Sequence, residues 1–134
     1  MARKIRRSKY GNKKVKTADG MVFDSKKEME RYEHLKMMEL NGEIWNLRRQ
    51  VKYVLLSSVK ERVPVQLKTK VSYKEVTLFR ETTYTADFVY HTPDGEEVVE
   101  DVKASAFFQD PIYKLKKKLM YMIHHIKIKE VYES

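Results

Sequence analysis

Two acidic residues and a lysine in the second half of the chain have types and spacing that suit metal-assisted hydrolysis. Asp87 lies in a segment of apolar and aromatic residues, where an aspartate that served only as a solvated surface group would bring little benefit. Asp101 and Lys103 follow later in the chain with one residue between them, as Asp-x-Lys. Hard divalent cations such as Mg²⁺ and Mn²⁺ prefer carboxylate oxygen ligands. A cation held there could bind a scissile phosphate and lower the pKa of a coordinated water. The lysine could orient that water or offset the phosphate charge.

A β-hairpin is predicted to carry both aspartates. Residues 82–91 alternate and are rich in β-branched and aromatic side chains, which is typical of a strand. Residues 96–103 form the returning strand. Between them, Thr92-Pro93-Asp94-Gly95 is a turn sequence, because proline fixes φ and glycine accepts a positive φ.

The register of this hairpin decides whether the two carboxylates meet. If Thr92 pairs with Glu96 across a three-residue loop, Asp87 stands opposite Asp101, and a shift of one residue breaks that match. Like charges facing each other across a strand pair are destabilising, so this pairing predicts a cation between them. The alternative is that Asp87 belongs to a polar edge and that Asp101 and Lys103 form an ordinary surface ion pair.

A helix is predicted from Ser25 to about Leu40. Ser25 and Glu28 match the capping box, in which the serine caps the helix and the glutamate reaches back, and Asn41-Gly42 is a stop. Glu28 also lies on one helical stripe with Leu35, so it points the way the core-facing residues point.

The remaining chain predicts an α/β (α+β) domain around one central mixed sheet flanked by helices, in the order αβββαβ. The stretch from Ser57 to Lys70 stays open between a loop and an extension of its neighbouring strands. Within the second helix, Ile112, Leu115, Leu119 and Met122 lie on one face. The further expected elements are strands at Gln50 to Leu56 and Val71 to Phe79, a helix at Ile112 to His125, and a last strand at Ile126 to Tyr132.

Charge is unevenly distributed along the 134 residues, whose net charge is +9. The first 17 residues hold eight basic and no acidic side chains. We therefore expect residues 1–17 to form a basic, flexible arm and residues 18–134 a single domain. Such an arm suits phosphate contacts with nucleic acid, and a solubilising tail is the alternative. The expected nucleic-acid contacts are Arg3, Lys4, Arg6, Arg7, Lys9, Lys13 and Lys14 in the arm, with Lys114 and Lys117 on the second helix.

The composition limits the other classes of site. Cysteine is absent, which excludes disulfides and thiolate-held metals. No apolar run approaches the ~20 residues that a membrane span needs, and the basic N-terminus lacks the apolar region of a secretory signal. We expect a cytoplasmic protein that does not bind a membrane.

Several of these segments together resemble the PD-(D/E)XK nuclease superfamily. Within it, the chain is most similar to small phage and prophage endonucleases that resemble Holliday-junction resolvases. The segments, which span about Tyr10 to Tyr132, are Tyr84-Thr85-Ala86-Asp87-Phe88, Val98-Val99-Glu100-Asp101-Val102-Lys103, Phe23-Asp24-Ser25-Lys26-Lys27-Glu28 with Glu30-Arg31-Tyr32, and Tyr113-Lys114-Leu115-Lys116.

The resemblance implies a restriction-endonuclease-like core and a nuclease that uses Mg²⁺ or Mn²⁺. Asp87 and Asp101 would be metal ligands, Lys103 the catalytic lysine, and Glu28 an accessory metal ligand or water-positioning residue. Glu28 as a helix cap alone remains the alternative. Glu100 could compete with Asp101, but strand parity turns it away from Lys103.

Some positions depart from the family pattern. Ala86 replaces a proline, Asp101 stands where glutamate is more frequent, and Ala104 replaces a frequent glycine, which leaves the local approach of DNA open.

Three functions are compatible with these features. The first is a metal-dependent endonuclease on branched DNA or Holliday junctions in phage recombination or replication. Symmetric cutting of two strands would require a homodimer, and a phage-encoded chain would act in the host cytoplasm. The second is the same chemistry on plain duplex or single-stranded DNA. The third is a non-catalytic basic module that binds nucleic acid through its arm.

Overall fold

The computed structural model describes residues 14–104 and 110–132. The helices are α1 (Lys26–Leu40) and α2 (Pro111–His124). The strands are β1 (Val15–Lys16), β2 (Val22–Phe23), β3 (Trp45–Leu56), β4 (Val59–Gln66), β5 (Val71–Phe79), β6 (Thr82–His91), β7 (Glu97–Lys103) and β8 (Lys129–Tyr132). Val15 and Lys16, which the sequence assigned to the arm, pair with β2.

The main sheet has four strands in the order β3-β6-β7-β8. β6 and β7 are antiparallel, whereas β7 and β8 are parallel, so the sheet is mixed. With the two helices it gives an α+β fold, and along the chain these six elements follow the expected order αβββαβ. The strand expected at residues 71–79 is present, but it pairs with β4 in a separate antiparallel two-stranded sheet rather than in the main sheet. Most of residues 57–70, for which the sequence is compatible with a loop or with strand, therefore belong to strand β4.

The chain divides into two compact units. The described residues of the first unit are 14–51, 86–104 and 128–132, and the second unit comprises residues 52–85 and 110–127. Neither helix in the described parts of the chain is long and apolar enough to cross a membrane.

The core of the first unit joins α1 to the hairpin strands. Leu35, Ile44, Phe88 and Tyr90 are buried together, and Tyr32 packs against this group. The helix begins as the capping pattern predicts, since the Glu28 backbone N–H donates to the Ser25 hydroxyl at 3.1 Å. The start of α1, which carries Glu28, is thereby fixed close to the strand that carries Asp87.

In the second unit, the apolar face of α2 that helical spacing indicates is not the buried face. Ile112, Leu115 and Met122 are exposed, whereas Tyr113 and Met120 are buried. Apolar residues occur on both stripes of this helix, and the half-buried Lys116 and Lys117 on the Tyr113 stripe can cover apolar surface with their aliphatic stems. Apolar spacing alone therefore does not indicate which face of α2 is buried.

Candidate functional site

The β6–β7 hairpin has the register that brings the two aspartates together. Phe88 pairs with Glu100, and the Thr92 N–H donates to the Glu96 carbonyl at 3.0 Å across the turn. The prediction of a three-residue loop with Thr92 opposite Glu96 is therefore confirmed. One step beyond the last recorded pair, the same register sets Asp87 opposite Asp101.

Both oxygen atoms of the Asp87 carboxylate accept hydrogen bonds. The backbone N–H of Val102 donates to Asp87 Oδ2 at 2.8 Å, and the amide of Gln50 donates to Asp87 Oδ1 at 3.4 Å. Burial, followed by the negative charge of Asp101, raises the pKa of Asp87 from 3.8 to about 7. The charge of Glu28 acts in the same direction, so two neighbouring carboxylates raise the pKa of Asp87.

Asp101 and Lys103 share one face of β7, as strand parity predicts. Lys103 Nζ lies 3.0 Å from Asp101 Oδ1, and Asp101 is only 8% exposed. Glu100 is turned to the other face, where it is fully buried and accepts two hydrogen bonds of 2.8 Å from the Arg31 guanidinium. The Tyr90 hydroxyl also donates to Glu100. Glu100 is thus committed to an internal ion pair, and Asp101 is the acidic residue beside the lysine.

Glu28 makes one contact at the start of α1 and another toward the candidate site. Its carboxylate accepts a hydrogen bond from the Asp24 backbone N–H beside the N-terminus of α1, as a cap would. It is also buried, and its Oε1 accepts a hydrogen bond of 2.9 Å from the Gln50 amide. Burial, with a smaller contribution from Asp24, raises the pKa of Glu28. The capping contact therefore coexists with a contact to the residue that also bonds Asp87.

Gln50 is the residue that the sequence did not identify. Its amide nitrogen donates to both Glu28 and Asp87, and its φ of 50° lies in the left-handed region. No local signal marks it, because it is one of several polar residues on β3 and its contacts depend on where that strand lies beside α1 and β6.

The donor set fits a hard cation that retains water. Among residues 14–104 and 110–132, no three acidic or histidine side chains lie close enough together to form a metal-binding group. Mg²⁺ is commonly bound through one or two carboxylates plus waters and substrate phosphate. Asp87 and Asp101 can supply such a pair, and a cation between them would offset the repulsion that raises the pKa of Asp87.

The predicted DNA-contacting residues fall in different places. Lys14, just before β1, is exposed, whereas Lys114 and Lys117 belong to α2 in the second unit, the first exposed and the second half-buried. The remaining arm residues lie outside the described residues: Arg3, Lys4, Arg6, Arg7, Lys9 and Lys13.

Comparison with known proteins gives one match. A family model described as a protein of unknown function, DUF1064, matches residues 7–133. The chain belongs to the DUF1064 family. The matched range includes all four candidate site residues, Glu28, Asp87, Asp101 and Lys103. No match was found among curated proteins or among solved structures.

Proposed function

We propose that this DUF1064 protein is a Mg²⁺- or Mn²⁺-dependent endonuclease that hydrolyses DNA phosphodiester bonds. The observation that carries the proposal is the hairpin register, which sets the half-buried Asp87 opposite Asp101 with Lys103 bonded to the latter. Asp101 raises the pKa of Asp87 although Lys103 lies beside Asp101, and a divalent cation is a partner that carboxylate oxygen atoms favour. The resemblance to PD-(D/E)XK nucleases supports the same residues.

The metal would be held by Asp87 and Asp101, and when bound it would supply Lewis-acid activation of the phosphate and of a nucleophilic water. The Val102 N–H fixes the orientation of the Asp87 carboxylate. Lys103 places a positive charge beside Asp101, where it can stabilise the phosphate oxygens as negative charge develops and orient the attacking water. Glu28, which shares the Gln50 amide with Asp87, supports the site from α1 as an accessory ligand or water-positioning residue.

A second basic surface on the described chain suits the same substrate. Neither β4 nor β5 has a fully buried residue, so this hairpin is exposed along its length. Its distal half, residues 62–74, contains no acidic residue and four exposed basic ones, Arg62, Lys68, Lys70 and Lys74. A two-stranded ribbon can enter the DNA major groove, and basic side chains gain affinity by releasing counterions from phosphates. We therefore assign DNA contacts to this hairpin in addition to the arm.

The substrate that we propose is branched DNA, with the protein acting as a homodimer so that two strands are cut symmetrically. The test is cleavage of a four-way junction beside matched linear duplex and single strands, with Mn²⁺, with Mg²⁺ and with EDTA. We expect metal-dependent cutting that is fastest on the junction. Equal rates on all the DNAs would retain the nuclease and overturn the junction preference.

Substitutions of the site residues, compared with a matched control, test whether cleavage takes place at this site. Asp87→Asn and Lys103→Ala should abolish cutting and leave DNA binding largely intact, because binding depends on the basic surfaces. Asp94→Asn, an aspartate in the exposed turn of the same hairpin, should cut like the wild type. Metal-dependent DNA binding without any cutting, or cutting that survives Asp87→Asn, would contradict the proposed function.

A further inference from the structure

The backbone of β3 is irregular beside the candidate site, although exposed and part-buried residues continue to alternate along the strand. Consecutive residues of a regular strand point to opposite faces of the sheet. Arg49 and Gln50 instead both reach the neighbourhood of α1: the Arg49 guanidinium lies 5.5 Å from the centre of the Tyr32 ring, and Gln50 bonds Glu28, one helical turn earlier. The φ of 50° at Gln50 lies in the left-handed region, and such a residue re-aims its side chain within a strand.

This backbone conformation is unfavourable for glutamine. A residue with a Cβ pays steric energy at positive φ, and asparagine tolerates it because its short side chain bonds locally. Asn46, four residues earlier on the same strand, has nearly the same φ of 56°. The longer Gln50 side chain makes its contacts at distant residues instead, which are the two carboxylates. Strained residues of this kind cluster at binding and catalytic sites.

We propose that Gln50 is a positioning residue that holds Glu28 and Asp87 in place for a divalent cation; this inference rests on the proposed function. The amide NH₂ has two N–H donors, and carboxylates only accept. One amide can therefore bond both groups, at 2.9 Å to Glu28 and 3.4 Å to Asp87. Because the amide is neutral, it links the two carboxylates without the positive charge that would compete with a metal.

The test separates the effect of losing the Gln50 side-chain amide from the effect of relieving the backbone strain at that residue. Gln50→Gly removes both, Gln50→Asn keeps an amide that is one methylene too short, and Asn46→Gly relieves the same kind of strain where the side chain contacts His91 instead. For each full-length variant, Mn²⁺ binding is measured by titration calorimetry without DNA, and the melting temperature is measured in EDTA.

We expect both Gln50 variants to bind Mn²⁺ about 10–100-fold more weakly, as is typical when a residue that orients metal ligands is lost. Asn46→Gly should bind Mn²⁺ like the wild type. The melting temperature of Gln50→Asn in EDTA should stay close to that of the wild type, because asparagine tolerates the conformation. If Gln50→Asn and Gln50→Gly both bind Mn²⁺ with wild-type affinity, Gln50 has no role in the site and the inference is overturned. If both variants fail to fold, its role is purely structural and the inference is equally overturned.

The Asp87→Asn variant distinguishes failure of the inference about Gln50 from failure of the proposed function. If the wild type binds Mn²⁺, Asp87→Asn does not, and the Gln50 variants bind normally, only the role of Gln50 is refuted. If the wild type binds no Mn²⁺, or Asp87→Asn binds it equally well, the metal site itself is refuted.

Discussion

Opposing forces act on the Asp87 carboxylate. A hydrogen bond from the Val102 backbone N–H favours its ionised form, yet burial and the nearby charge of Asp101 outweigh that contact. The result is a carboxyl group that gives up its proton only near neutral pH in the metal-free protein. A protein gains nothing in stability from such a group, which is why a ligand-binding role is the natural explanation.

The pKa of Asp87 predicts how stability depends on pH. Between 3.8 and about 7, the folded protein retains a proton on Asp87 that the unfolded chain has released. The free energy of unfolding should therefore fall as the pH rises through this range and level off above it. Asp87→Asn should remove this contribution and be more stable than the wild type at pH 8, on the order of a few kcal/mol.

Urea unfolding in EDTA between pH 4.5 and 8 measures this difference, with Asp94→Asn as the control that should follow the wild type. Parallel curves for the wild type and Asp87→Asn would contradict the predicted shift.

Two substitutions at the start of α1 separate capping from site chemistry. Ser25→Ala removes the acceptor for the Glu28 N–H and should lower the free energy of unfolding by about 1 kcal/mol, with little change in cleavage. Glu28→Gln keeps an oxygen for the Asp24 N–H, so stability should change little, but the lost charge should slow cleavage about 10–100-fold. Cleavage rates are measured with saturating Mn²⁺ and DNA. Loss of rate in proportion to stability in both variants would show that Glu28 is a cap alone.

At the scale of elements, α1 is linked to β7 by a buried ion pair. Arg31 on the helix and Glu100 on the strand make two hydrogen bonds of 2.8 Å, and Glu100 is fully buried. Glu100 adjoins Asp101 and Arg31 lies about one turn beyond Glu28, so the same pair holds together the two elements that carry these site residues.

Breaking this pair should be costly for stability. Arg31→Met leaves the buried Glu100 without its main partner and should lower the free energy of unfolding by about 3–5 kcal/mol. Adding Glu100→Gln to Arg31→Met should recover much of the loss, because no buried charge remains. Lys36→Ala, which breaks the more exposed pair with Glu39 on the same helix, should cost less than about 1 kcal/mol. Urea unfolding at pH 7 measures all three; similar costs for the two single variants would contradict the buried-pair account.

At the scale of the whole molecule, the net charge of +9 is the property that concerns DNA most directly. Its strongest concentration is the N-terminal segment, and the distal β4–β5 hairpin is a second basic surface. Phosphate contacts of this kind raise affinity for any DNA and make it depend on salt. In the proposed nuclease, the carboxylate site would decide whether a bound strand is cut.

Replacing basic residues of these two surfaces with glutamine should therefore weaken DNA binding and leave the rate of the chemical step unchanged. Changing Arg3, Arg6, Arg7 and Lys9 together, or Lys68, Lys70 and Lys74 together, should reduce the salt dependence of DNA affinity by about one in the log–log slope for each lost contact. Lys36 and Lys52, which pair with glutamates, serve as the control and should change the slope less. Fluorescence anisotropy at several salt concentrations measures the slope, and single-turnover cleavage at saturating DNA measures the chemical step. An unchanged slope for either group would remove that surface from the DNA interface.

The features that the sequence determined are those governed by neighbouring residues. The Thr92 to Gly95 turn sets the register of its own hairpin, so the alignment of Asp87 with Asp101 follows from the length of one loop and the period of a strand. Parity along β7 placed Glu100 away from Lys103 for the same reason, and the serine cap fixed the start of α1.

Tertiary structure decided what depends on elements far apart in the chain. Gln50 reaches Glu28 and Asp87 across 22 and 37 positions of sequence, through a backbone conformation that no local pattern encodes. The buried face of α2 also depended on packing, since Tyr113 and Met120 are buried while a more apolar stripe stays exposed. Local propensities fix turns, caps and parity, whereas the choice between two possible faces or partners is made by the free energy of packing the whole chain.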